Sequence, residues 1–120
     1  MQQAGGVSRH ALWSSLDAKA TPFGDYDRAI IEAVTQRWYD LLDNLSAEGY
    51  RHGRVMVKFR LNYDGTISDM QTMENTVGDL LSLLCVKAVQ EPAPFEKWPR
   101  EMRLMVDRDY RELTFTFYYD

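Results

Sequence analysis

Cys85 is the only cysteine among the 120 residues, so no disulfide can close within the chain. The single thiol leaves the redox compartment undecided. Histidine is almost as scarce. His10 and His52 are the two present, and neither has a cysteine or another histidine at ligand spacing. His52, beside Gly53, reads as a solvated loop residue. No glycine-rich phosphate loop and no serine nucleophile elbow occurs. Cys85 falls on an apolar helical stripe, where a buried inert thiol is the ordinary outcome. A nucleophile there needs a neighbouring base and a lowered pKa. Asp107 and Asp109, two residues apart, do not face each other on a helix. The chain is therefore read as a non-enzyme, with no catalytic residues, metal or cofactor.

Long apolar runs are missing as well. The longest is Leu80 to Val86, even with Ser82 allowed, far short of the roughly 20 residues that span a bilayer. The first residues carry no basic cluster followed by an apolar run, so no signal peptide is expected. Positive charge is in deficit. Lys and Arg number 14 against 18 Asp and Glu, a net charge of -4, which opposes contact with nucleic-acid phosphates.

What the chain does have is one unbroken alternation. Val55, Val57, Phe59, Leu61 and Tyr63 are separated by Arg54, Met56, Lys58, Arg60 and Asn62. A two-residue period reads as a strand with one buried and one wet face. Asp64-Gly65 then supplies the φ > 0 positions of a tight hairpin. Thr66 to Met73 is the return strand. Ile67 and Met70 are three apart, which a bulge near Ser68-Asp69 repairs.

The rest is arranged around this hairpin. Residues 1–24, with Gly5-Gly6, Pro22 and Gly24, read as a linker or arm, in which Leu12, Trp13 and Leu16 fit one amphipathic helical turn. Residues 25–120 form the domain. Asp25 to Ala47 is a predicted helix, with Ile30, Val34, Trp38, Leu41 and Leu45 at helical spacing, acidic residues in its first turn and Gly49 as its stop. A second helix begins at Asn75 or Thr76 with a capping-box-like Thr76-Val77-Gly78-Asp79 and ends before Pro92. Pro92, Pro94 and Pro99 force an extended crossing, which Phe95 and Trp98 pin to the core. Arg100 to Val106 makes a short helical turn. Tyr110 to Tyr119 alternates again and gives a third strand. The expected fold is an α+β two-layer sandwich, order α-β-β-α-β, with a three-stranded antiparallel sheet and two helices on one face.

This succession resembles the C-terminal domain of the TonB/TolA energy-transducer family over about residues 26–119. It is carried by Tyr26, Ile30 and Trp38, by Gly53 to Leu61, by Asp64-Gly65-Thr66-Ile67, by Leu80 to Val89, by Pro94-Phe95 and Trp98-Pro99, and by Leu113 to Phe117. The Tyr–Ile–Trp helix and the Pro-Phe crossing look more like the TolA branch. The resemblance implies a periplasmic domain of an inner-membrane-anchored protein, cut from a longer chain within its linker. It also implies a domain without chemistry that grips an outer-membrane or periplasmic protein and couples the proton-motive force to transport.

An open three-stranded sheet has edges that accept a further strand. If the last strand pairs with the first, Arg111, Glu112, Thr114, Thr116 and Tyr118 lie along a free edge without proline or lysine to blunt it. Arg54, Lys58 and Arg60 add a basic row on the outward face, suited to an acidic protein. The same edge serves a homodimer in the alternative reading, or is covered by residues 1–24. A nucleic-acid sheet is the weakest reading, because the aromatics fall mostly on inward positions.

Overall fold

A computed structural model describes residues 10–14, 23–45 and 52–119. The elements are strand β1 (His10–Ser14), helix α1 (Gly24–Asp43), strands β2 (Gly53–Asn62) and β3 (Ile67–Asn75), helices α2 (Asp79–Gln90) and α3 (Arg100–Met105), and strand β4 (Tyr110–Tyr119). The fold is α+β with an antiparallel sheet, as expected. The sheet has four strands rather than three, ordered β1-β4-β2-β3.

The alternation in β2 decides which face is covered. Val55, Val57, Phe59 and Leu61 are all buried. They pair across the ladder with Phe117, Phe115, Leu113 and Arg111 of β4. α1 and α2 lie on this face, and their buried residues Ile30, Val34, Trp38, Leu42, Leu81, Leu84, Cys85, Ala88 and Val89 close one core with the strands. At its centre Trp38 meets Phe117 and Tyr119 edge-on, with ring centroids 4.9 and 5.3 Å apart. Trp38 donates its indole N–H to the Tyr119 hydroxyl at 2.9 Å, and that hydroxyl donates to the Leu81 carbonyl at 3.2 Å. Two aromatic polar groups are thus satisfied inside the core, where leaving either unpaired costs about 1–3 kcal/mol.

The hairpin differs in detail from the expectation. Gly65 alone takes the positive φ, at 91°. Asp64 instead uses its carboxylate, which accepts the Thr66 N–H at 3.0 Å and the Thr66 hydroxyl at 2.6 Å. These bonds hold the Asp64 carboxyl below the usual carboxylate range. Gly65 is required twice, since a Cβ there lands 2.0 Å from the Phe95 carbonyl oxygen. The extended crossing passes directly over it, with Phe95 N–H donating to Gly65 O and Trp98 N–H to Tyr63 O.

The bulge expected near Ser68-Asp69 is present as a register shift between the Lys58 and Arg60 pairs, with Asp69 at φ 54°. A second shift lies between the Met56 and Val57 pairs. The second helix starts later than the capping box suggested. Asn75 Oδ1 accepts the N–H groups of Val77 and Gly78, and the Thr76 hydroxyl accepts the Arg54 N–H. An Asn turn satisfies those donors outside the helix, so α2 begins only at Asp79. α1 ends at Asp43. The stop assigned to Gly49 lies outside the described residues.

The largest departure is β1. Leu12 and Trp13 belong to a strand, not to a helical turn. Three apolar residues over five positions fit either period, and the ladder of β4 selects the extended one. Leu16 lies outside the described residues.

Candidate interaction surface

The edge expected to be open along β4 is occupied over Phe115–Tyr119. β1 runs antiparallel to it, with His10 opposite Tyr119, Leu12 opposite Phe117 and Ser14 opposite Phe115. β4 is therefore an interior strand over Phe115–Tyr119, with β2 on its other side. The expectation of a free ladder is overturned over that span, because the arm itself supplies the missing partner; Tyr110–Thr114 have no second neighbouring strand among the described residues.

β1 is held lightly. It has five residues against the ten paired positions between β2 and β4. Leu12 faces the core and packs on it while only partly buried. Trp13 faces the opposite way and stays 65% exposed, with its ring edge-on to Tyr118 at 6.5 Å. Around this end a shallow recess is lined by Ala11, Gly53, Arg54, Glu74, Tyr118 and Tyr119, among others.

Each site residue singled out in the sequence has a definite place. Arg111 is not on the wet face. Its position opposite Leu61 turns it inward, where its guanidinium holds the Asp27 carboxylate bidentately at 2.8 and 3.2 Å. The Asp27 side chain is fully buried and that of Arg111 is 16% exposed. The Arg111 guanidinium is thus engaged within the chain, at the margin of the core. The alternation puts it inward once register is known; what the sequence conceals is its partner, 84 positions away.

Glu112, Thr114, Thr116 and Tyr118 do face outward, opposite Arg60, Lys58, Met56 and Arg54. Thr116 is nevertheless buried, between Met56 and Trp13 on the flanking strands. The basic row is matched with acids. Arg54 binds Glu74 at 2.8 Å, Arg60 meets Asp69 at 3.1 Å, and Lys58 and Arg60 each approach Glu112 at 3.8 Å. The last two distances are charge pairs without hydrogen bonds, and the Arg60 Nε–H is left unbonded. Arg60 also stacks over Tyr110 at 4.2 Å. The Glu74 hydrogen bond raises the Arg54 pKa above its ordinary value. A row neutralised in this way is a poor attractor for polyanions.

The other sheet edge is β3, whose outer side has no neighbouring strand among the described residues. Its two register shifts and the left-handed Asp69 bend it out of the flat ladder that an added strand needs.

Chemistry remains unassigned. Burial pushes the Cys85 thiol up to about 12, against a smaller opposite effect of the Tyr119 hydroxyl 3.3 Å away. A thiol so held is protonated and unreactive. His52 is exposed. No group of three His, Cys, Asp or Glu among the described residues is placed to hold a metal. No helix among the described residues is long and apolar enough to cross a membrane.

No family model matches the chain, and no curated protein or solved structure matches it.

Proposed function

We propose that this chain is a protein-interaction domain of the TonB/TolA energy-transducer type, periplasmic and tethered to the inner membrane in its full-length protein. It takes an extended segment of an outer-membrane or periplasmic partner by β-strand addition and so couples proton-motive force to transport. The observation that carries this reading is β1. A segment outside the α-β-β-α-β unit is already added, antiparallel, to the edge of β4. That edge is competent to receive a strand, and its present occupant is short and little buried.

In this reading β1 is a placeholder that the partner's strand displaces. The incoming strand pairs with Phe115–Tyr119, sets one apolar side chain where Leu12 packs, and presents the next to Tyr118. In this reading Thr116 and Tyr118 face the partner, while the Arg111 side chain stays on Asp27.

The test is amide shift mapping with extended peptides from outer-membrane transporters, on the wild type and on Ala11→Pro. Phe117 turns its backbone groups to β2, so Ala11, opposite Tyr118, is a position whose N–H faces β4; proline there cannot donate to the ladder and weakens β1 docking. Shifts are expected to concentrate on residues 113–119. Affinity in Ala11→Pro is expected to rise, by roughly tenfold where β1 is docked about nine-tenths of the time. Shifts scattered elsewhere in both proteins sink the reading. A dimer whose population grows with concentration in sedimentation moves it to self-association through the same edge.

A further inference from the structure

β1 covers only half of the strand it joins. β4 pairs with β2 at every position from Tyr110 to Tyr119, whereas β1 reaches Phe115–Tyr119. We infer that the segment captured at β4 is longer than β1, runs on beside β4 as far as Tyr110, and sets a lysine or arginine opposite Glu112. This rests on strand capture at β4 and gives that site its length, its register and the charge of its partner.

The direction of the backbone groups carries the first part. In an antiparallel ladder, successive residues turn their N–H and C=O to opposite sides. Arg54 turns both to Thr76, its N–H to the hydroxyl at 2.8 Å and its C=O to the N–H at 3.0 Å. Asn62 likewise donates to the Thr66 carbonyl at 2.9 Å, on the same side of β2. Val55 and Leu61, of the other parity, therefore face β4, and their partners Phe117 and Arg111 face back to β2. Tyr110 and Glu112 alternate with these and turn their N–H and C=O away from β2. No strand of the described residues meets them there. Two donors and two acceptors thus continue the line along which Thr116 and Tyr118 pair with Trp13 and Ala11. Such edge groups are what an added strand completes, and a strand that follows the β1 register meets them without a break. The intervening side chains are already packed, Leu113 at 1% exposure and Arg111 on Asp27. This half of the edge is held in place before anything binds, which lowers the ordering cost.

The chemistry at Glu112 carries the second part. Its side chain is 46% exposed on the wet face, and Lys58 and Arg60 stand 3.8 Å off. Arg60 is turned to Asp69 at 3.1 Å and to the Tyr110 ring. The Glu112 carboxylate accepts no hydrogen bond from the described residues, although it has room for about four. The residue opposite it on an incoming strand has its Cβ about 5 Å away. A cation there meets an acceptor directly, whereas an acid meets a like charge.

The probe is a blocked peptide matching the ten residues of β4. It is threonine throughout, except for valine opposite Phe117, Phe115 and Leu113 and lysine opposite Glu112. Its twin has glutamate in place of the lysine. Both are titrated into the full chain, wild type and Ala11→Pro, while amide shifts are followed. Shifts are expected to run on from residues 113–119 to Glu112 and Tyr110. The glutamate peptide is expected to bind about fivefold more weakly, and Glu112→Gln to remove most of that difference. Glu112 is exposed, so this variant leaves the core intact. Shifts that stop at Leu113, or peptides that bind equally in both proteins, overturn this inference and leave strand capture standing. Shifts at neither end of β4 overturn both.

Discussion

At the scale of single residues, neighbouring positions of β4 separate buried from exposed charge. Arg111→Ala takes the guanidinium away from the fully buried Asp27 carboxylate of α1, and breaking such a pair costs about 3–5 kcal/mol. Glu112, one position on, faces Lys58 and Arg60 in partly exposed pairs, and Glu112→Ala is expected to cost less than about 1 kcal/mol. Urea denaturation midpoints of the two variants check the contrast; equal losses exclude it. A second residue-scale prediction concerns alkaline pH. Burial raises Tyr26 from 10.0 to about 12, and Cys85 from 9.0 to about 12. In both cases the folded state holds its proton more tightly than the unfolded state. Their stabilisation is complete below the unfolded pKa and is lost as pH climbs from about 9 towards 12. Cys85→Ala is expected to flatten the decline from pH 9 upward, and Tyr26→Phe the part above 10, in thermal melts across that range. Tyr26→Phe also removes a 2.6 Å bond from the hydroxyl to the Glu96 carbonyl, so its melting temperature falls at neutral pH as well.

At the scale of elements, β1 and β2 define opposite ends of a stability range. β2 contributes four buried residues and is paired on both sides. β1 contributes one partly buried leucine and a five-residue ladder on one side. Ala11→Pro is expected to cost no more than about 1–2 kcal/mol, and Val57→Pro to prevent folding. In hydrogen exchange, β1 amides open well before those of β2. The same contrast explains what was legible beforehand. β2 and β4 announce themselves because strict alternation over ten residues excludes a helix. The Ser68-Asp69 bulge is legible because one broken step in a two-residue period has few remedies. β1 is not, because five residues carry too little periodicity to choose between strand and helix. The cap of α2 is missed for a local reason: Asn75 takes the Val77 and Gly78 N–H groups, and the Thr76 hydroxyl is turned to the Arg54 N–H instead of the helix. The basic row is read correctly as outward, but its neutralisation depends on β3 and β4 register, which no local pattern encodes.

At the scale of the whole molecule, the charge pairing and the strand order together shape what the domain offers a partner. With Arg54, Lys58 and Arg60 matched by acids and a net charge of -4, electrostatic capture of single-stranded RNA is not expected even at low salt, and a fluorescence titration checks this. Association at β4 then depends on how often β1 leaves. A strand that enters only after β1 undocks gives an observed association rate that levels off, at rising peptide concentration, at the undocking rate. A strand that adds to the outer side of β1 gives a rate that keeps rising linearly. Trp13 reports the event, since undocking separates it from Tyr118. Stopped-flow fluorescence of the wild type is expected to show the plateau, and Ala11→Pro, followed through a dye on the peptide because its Trp13 is already apart from Tyr118, to lose it, since in that variant the edge is already free. A linear dependence in both proteins places the partner outside β1 and removes the placeholder role.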